Sequence, residues 1–303
     1  MRMKTLETQR FKGEHREYSV TNIGPVPGGE AFLFMTDTSA FLLDAGFGFC
    51  GEQTADNLDQ VLDGRKLDCI LLTHSHYDHI LGAPYIYERH PEAKVYASQH
   101  TAEVIQKHGA RFTMRKMDAS AAKMYHVHPK LMDKVGDLKV DVIVKEGDIV
   151  DTGDMKFKVY DFPGHTFCSI GFYCREERLL LSCESLGVYV GNDSILPIFL
   201  VGYGICIDSL EKAQKLDISA MLIPHTGMVT GELCQKMLSD AESNVKEGVK
   251  DIVEAAKSGT TDDELIVMFR NRFYTDYAKK LTPQAAFDLN AGYMISVIRK
   301  ELC

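Results

Sequence analysis

The sequence predicts a layered α/β fold followed by an all-helical C-terminal extension. Strand-like and helix-like patterns alternate up to about residue 231. Short apolar runs such as residues 67–73 have the length and composition of strands covered on both faces. Beyond Gly231, apolar residues recur only at three/four spacing. A chain of 303 residues that is 45% hydrophobic and 25% charged can bury a core, which excludes a disordered or collagen-like polymer.

The elements follow in order. Residues 17–22 read as a strand, the Pro/Gly-rich stretch 24–29 as a turn, and residues 31–36 and 39–44 as two further strands of a meander. Thr54 reads as the N-cap of a helix with Leu58, Val61 and Leu62 on one face. The strand at 67–73 runs into a histidine-rich turn, followed by a helix around 85–89 and a strand at 94–97. Residues 100–135 read as a broken helical insertion. Its Met114, Met117, Met124 and Met132 are taken as ordinary core, with a wall over a substrate pocket as the alternative. Strand patterns return at 140–144, 148–150 and 155–162, then as a hairpin of 170–174 with 179–182, and at 220–224 after a helix over 207–216.

In the extension, Leu238, Ala241, Val245, Val249, Ile252 and Ala256 predict one amphipathic helix, closed by Gly259. Thr261 and Glu264 form a capping-box pattern, and Thr282 with Pro283 opens a last helix. The expected domains are therefore residues 1–231 and 232–303. Phe269, Phe273, Tyr274 and Tyr277 are read as the core of the helical part, with an aromatic lining of the cleft as the alternative.

Composition narrows the function. The net charge of −9 argues against nucleic acid as a partner and favours a small-molecule substrate. No run approaches ~20 apolar residues, so no membrane partner is expected. Residues 1–10 are charged and lack the apolar segment of a signal peptide. The eight cysteines are scattered without a C-x-x-C pair, as in reduced thiols of a cytoplasmic protein.

The chemistry is concentrated in Thr73-His74-Ser75-His76-Tyr77-Asp78-His79. His74, His76, Asp78 and His79 offer imidazole and carboxylate donors that suit transition metals. On a tight turn, His74 and His76 can face one ion while Asp78 and His79 face a second. Tyr77 either touches substrate or packs on the loop. Three later strand ends carry further donors: His165 after Pro163-Gly164, Glu184 after Ser182-Cys183, and His225 after Pro224. Cys183 is read as a small buried thiol, and His15, His90, His100 and His108 as surface residues. No spacing ties His126 or His128 to the metal donors.

This pattern resembles the metallo-β-lactamase-fold superfamily over about residues 17–227. That superfamily carries an H-x-H-x-D-H motif, then a histidine, an acidic residue and a final histidine, with an early aspartate matched here by Asp44. The resemblance implies a four-layer αββα sandwich and a binuclear centre of two divalent metal ions, zinc or iron, with manganese third. It implies that His74, His76 and His165 hold one ion, that Asp78, His79 and His225 hold the other, and that Glu184 bridges them. It implies that Asp44 orients a ligand from behind. Glu184 stands where the family usually has Asp, often as Gly-Asp, so an extra methylene must be accommodated.

The reaction such a site supports is hydrolysis by a metal-bound hydroxide, because coordination lowers the pKa of water from ~15.7 toward ~7. Asp78 is the candidate to accept a proton or orient the nucleophile. The runs 72–85 and 179–187, with the helical insertion and extension, resemble the quinolone-signal response thioesterase-like branch. That implies a thioester, acyl-CoA-like substrate. Phosphorylcholine esterases and the glyoxalase II group share the layout more distantly, so phosphodiesterase or lactonase activity is the alternative. Two other classes stay open: a diiron redox protein and a partner-binding regulatory protein. A homodimer through the C-terminal helices is a further open reading.

Overall fold

A computed structural model describes residues 6–127, 133–191 and 194–303, which divide into two units. The first comprises residues 1–160 with 170–181, the second residues 161–169 with 182–303.

The first unit is built on a seven-stranded sheet: β1 (Thr8–Lys12), β2 (Glu17–Asn22), β3 (Phe32–Met35), β4 (Ala40–Leu43), β5 (Cys69–Leu71), β6 (Lys94–Ser98) and β7 (Val142–Val144), in sequence order. Neighbours from β1 to β4 are antiparallel. Those from β4 to β7 are parallel. The parallel pairing brings the ends of β4 and β5 to one edge, and Asp44 N–H donates to the Leu71 carbonyl at 2.9 Å. Five helices connect the strands: α1 (Gly51–Leu62), α2 (Tyr77–Ile80), α3 (Ala83–Arg89), α4 (Gln99–Val104) and α5 (His108–Met124). Leu58, Leu62 and Ile86 pack with Leu42, Ile70 and Val95 in one buried cluster. Burying each such side chain contributes about 1.5–3 kcal/mol before the entropy of ordering is set against it.

A second sheet layer continues this unit with β8 (Ile149–Asp151), β9 (Lys156–Asp161), β10 (Ile170–Cys174) and β11 (Leu179–Leu181), side by side in the order β11-β10-β9-β8. The layers meet through aromatic rings. Phe11, Tyr18, Phe34 and Phe41 stack across β1–β4, and the Phe41 ring meets Phe157 of β9 edge-on at 5.4 Å. Asp154, in the β8–β9 turn, accepts the hydroxyls of Thr36, Thr38 and Ser39 at 2.6, 2.8 and 2.8 Å. The two turns are thereby pinned together.

The second unit opens with the hairpin of β12 (Val188–Tyr189) and β13 (Ile195–Leu196). Then come α6 (Tyr203–Gln214) and a second hairpin of β14 (Ala220–Ile223) and β15 (Gly227–Thr230). Five helices follow: α7 (Glu232–Lys246), α8 (Lys250–Lys257), α9 (Asp262–Phe273), α10 (Ala278–Leu281) and α11 (Gln284–Glu301). Phe269 and Phe273 are buried core and pack on each other at 5.3 Å. Arg270 forks onto Asp288 at 2.8 and 2.7 Å, tying α9 to α11. No helix among the described residues is long and apolar enough to cross a membrane.

The capping box of Thr261 and Glu264 is present as expected. Three expectations are corrected. Thr54 lies inside α1, where its hydroxyl donates to the Cys50 carbonyl, and Cys50 holds the cap position. The helix expected over residues 238–256 is two helices. Gly248 turns the chain between them, and a Cβ there would stand 2.4 Å from the Asn244 carbonyl oxygen. The buried stripe survives the break, with Val245, Val249 and Ile252 all inside. The cap of α11 is Pro283, not Thr282, because the Pro283 carbonyl accepts from Ala286 and Phe287. Strands β1, β12, β13 and β15 were not expected; each is short, and none shows sustained apolar alternation. Met132 and His128 lie outside the described residues.

Candidate metal centre

In the first unit, β5 delivers the chain to Thr73 and His74. His76 keeps extended backbone, at φ −72° and ψ 151°, and caps α2. Its carbonyl accepts from His79 N–H at 3.1 Å and Ile80 N–H at 3.2 Å. One helical turn thus follows directly on the strand end, which gathers the side chains. The His74 ring lies 4.7 Å from that of His76 and 4.1 Å from that of His79, centre to centre. Metal-donor atoms of His74 and His76 lie within 4.8 Å of each other, as do those of Asp78 and His79. His74 and His79 are buried.

Asp44 organises these rings from behind. It is buried and holds left-handed backbone at φ 57°, a conformation that Asp tolerates better than most residues. Its Oδ2 lies 2.8 Å from His79 Nδ1. It also accepts the Thr73 hydroxyl, at 2.9 Å to Oδ2 and 3.1 Å to Oδ1, and Thr73 N–H at 2.8 Å. A carboxylate only accepts, so His79 carries its proton on Nδ1. The Thr73 hydrogen is spent on Asp44, so the Thr73 oxygen accepts from His74 Nδ1 at 3.0 Å. Both imidazoles are therefore fixed with a lone pair on Nε2, the state a metal ligand requires. The adjacency of Thr73 to His74 was visible in the sequence; its bond to Asp44 needed the β4–β5 pairing.

The loop after Asp44 is clamped to α2. Ala45 N–H donates to the His79 carbonyl at 2.7 Å and Gly82 N–H to the Gly46 carbonyl at 3.0 Å. A side chain at Gly82 would sit 1.9 Å from the Ala45 carbonyl oxygen, so glycine is required there. Tyr77 packs its ring on Phe47 at 5.7 Å. From α5, the buried Asp118 accepts Gly48 N–H at 2.9 Å. Burial pushes the Asp118 carboxyl up to about 7; the Gly48 and Phe49 amides oppose the rise and the charge of Asp78 adds to it. No local pattern marked Asp118 in the sequence.

In the second unit, the loop at 161–169 carries His165. Its N–H donates to Ser185 Oγ at 3.0 Å. Gly164 before it adopts φ 146°, and a Cβ there would stand 2.9 Å from Cys206 Cα. Glu184 follows Cys183 in a single 3-10 turn. The Glu184 carboxylate faces two imidazoles, with Oε2 at 2.8 Å from His165 Nε2 and Oε1 at 3.5 Å from His225 Nε2. His225 sits at the turn of the β14–β15 hairpin with left-handed backbone, φ 60°. Thr226 accepts Tyr189 N–H at 3.4 Å. Cys183 is fully buried, in keeping with its reading as a small packed thiol. His15, His108 and His126 are exposed, while His90 and His100 are half-buried, His90 against Asp59.

Each unit thus gathers donors of the kind divalent metals take: three imidazoles and Asp78 in the first, two imidazoles and Glu184 in the second. The donor chemistry fits such ions. Nε2 of His74 and of His79 is held in the ligating tautomer, and in the second unit Glu184 places its carboxylate against Nε2 of His165 and His225.

Residues 25–225 match the profile of the metallo-beta-lactamase superfamily, and the chain belongs to that superfamily. Its fold class is therefore the α/β four-layer αββα sandwich with a C-terminal helical extension. Among curated proteins, it is 33% identical over 106 residues to a hydroxyacylglutathione hydrolase of Photorhabdus laumondii, covering 35% of this chain and 29% of the relative. It is 27% identical over 158 residues to a hydroxyacylglutathione hydrolase of Francisella tularensis, covering 50% of this chain and 46% of the relative. The chain thus matches less than half the length of these relatives. Among solved structures, an archaeal metallo-beta-lactamase superfamily protein from Sulfolobus tokodaii is similar, with a TM-score of 0.58 at 17% identity over 98% of both chains.

Proposed function

We propose that this chain is a binuclear metal-dependent hydrolase that cleaves a thioester of a small molecule. The observation that carries the reading is the fixing of His74 and His79 by Asp44, directly and through Thr73. Two buried imidazoles held as Nε2 donors beside a carboxylate serve metal ligation. In this reading His74, His76 and His165 would hold one divalent cation, Asp78, His79 and His225 would hold the second, and Glu184 would be a ligand shared by both. Zinc or iron suits this nitrogen and oxygen set. Such ions supply Lewis acidity toward the acyl carbonyl and activate water at neutral pH.

The chain's own groups do the rest. Asp44 keeps the His79 proton on Nδ1, and Thr73 does the same for His74, so neither ring turns away. Asp78 orients the attacking water and accepts its proton at a carboxylate oxygen. Glu184 adds negative charge between His165 and His225. The thioester class draws support from the relatives, which are named as hydrolases of a hydroxyacylated glutathione. A reducing cytoplasm is the compartment proposed, in keeping with eight cysteines that form no disulfide among the described residues.

The test is a hydrolysis panel on protein purified without chelator: an acylglutathione, an acyl-CoA, a nitrophenyl phosphodiester, a lactone and a β-lactam, each with and without EDTA. The reading expects chelator-sensitive thioester cleavage that divalent metal restores. Cleavage of the phosphodiester alone, or thioester cleavage indifferent to EDTA, overturns it.

A further inference from the structure

Helix α5 shows a surface that the hydrolytic reading leaves unused. Its buried side carries Met114, Asp118, Ala121 and Ala122. The opposite face carries His108, Phe112, Lys116, Ala119 and Lys123, spaced so that they fall on one side of a helix, with Arg115 beside them. Phe112 is 64% exposed, more than any other large hydrophobic side chain among the described residues. From residue 104 to 127 the only carboxylate is the buried Asp118. Over the same stretch lie Lys107, Arg111, Arg115, Lys116 and Lys123. None of these five has a carboxylate within 4.0 Å among the described residues, whereas elsewhere Arg16, Arg89, Arg270 and Arg299 are all paired. An acidic chain of net charge −9 thus keeps one helix face cationic around one exposed aromatic ring.

We propose that the exposed face of α5 docks on an anionic phospholipid surface, with Phe112 inserted at the headgroup level and Arg115, Lys116 and Lys123 against lipid phosphates. Charge complementarity selects an anionic partner. Clustered Lys and Arg gain attraction from anionic lipid within about a Debye length, so acidic residues elsewhere on the chain oppose it weakly. The single aromatic favours lipid over a folded protein. A protein interface needs an apolar core of several residues, whereas clustered Lys and Arg are drawn to anionic lipid by charge, to which one inserted ring adds buried apolar area. This docking is independent of the reaction catalysed in the first unit or the second.

The experiment is flotation of the full chain with vesicles of phosphatidylcholine alone and with 30% phosphatidylserine, at low and at 0.5 M salt. Wild type is expected to float with the phosphatidylserine vesicles at low salt and to stay behind with phosphatidylcholine or at high salt. Each cation contributes about five-fold near such a surface, so Arg115→Gln with Lys116→Gln is expected to weaken binding more than ten-fold. Phe112→Ser is expected to weaken it several-fold with the salt dependence intact. Circular dichroism checks that each variant stays folded, and the wild-type salt and lipid series tests the proposal without any variant. Equal binding to both vesicle types overturns it. So does phosphatidylserine binding indifferent to all three substitutions. Binding to soluble polyglutamate as tight as to vesicles, with Phe112→Ser unchanged, assigns the face to acidic peptides and also overturns it.

Discussion

The carboxylate of Asp44 lies 2.8 Å from Nδ1 of His79, and through the Thr73 hydroxyl it reaches Nδ1 of His74 as well. One buried acid thereby decides the tautomer of two rings that point toward the same turn. Partners of this kind typically change metal affinity 10- to 100-fold when removed. Asp44→Ala is expected to lower zinc affinity by about that factor, read by competition against a chromogenic chelator. Thr73→Val is expected to lower it less, because it releases His74 alone. Equal affinity in wild type and Asp44→Ala would contradict the relay.

Gly164 sets the position of His165 by standing where no side chain fits. Its φ of 146° and the 2.9 Å approach to Cys206 Cα both exclude a Cβ. Gly164→Ala is expected to cost on the order of 2 kcal/mol in urea unfolding. It is also expected to weaken metal binding, since the His165 amide is tied to Ser185. An alanine variant with unchanged midpoint and affinity would show that the loop relaxes freely.

Glu177 tests the fold apart from the site. Its side chain is fully covered, and Arg16 meets it at 2.8 Å. The His15 amide adds a second donor at 3.2 Å. Removing the cation strands a buried charge, so Arg16→Ala is expected to lose about 3 kcal/mol. Adding Glu177→Gln to that variant is expected to recover most of the loss. If the double substitution is as unstable as Arg16→Ala, packing rather than charge holds the hairpin.

Asp118 gives a pH dependence. Burial raises its carboxyl from 3.8 to about 7. Between those values the folded form keeps the proton that the unfolded form has lost, so stability falls as pH rises through this window. The penalty is absent below about 4 and complete above about 7, with an upper size on the order of 4 kcal/mol. In chelator-treated protein, Asp118→Asn is expected to gain stability over wild type progressively from pH 4 to 7. A constant difference across that range would show that the carboxyl ionises normally.

The sequence disclosed what is local and hid what is tertiary. Residues 74–79 lie on one turn, so their donors could be recognised from spacing alone. The strand end at Asp44 was also legible, but its link to Thr73 required the parallel pairing of β4 with β5. Asp118 could not be seen, because an acid in a helix reads as a solvated face until the packing of α5 covers it. The break at Gly248 leaves no mark in the apolar pattern, because Val245, Val249 and Ile252 keep a helical rhythm through the turn. Strand β1, largely exposed, has polar residues where apolar alternation would have marked a strand.

The proposed ligand set calls for two divalent ions per chain. Metal content per chain, measured by inductively coupled plasma mass spectrometry after purification without chelator, tests it most directly. Wild type is predicted to carry about two ions per chain, and His79→Ala and His225→Ala about one. One ion or fewer in wild type, or two ions retained in both variants, would contradict it.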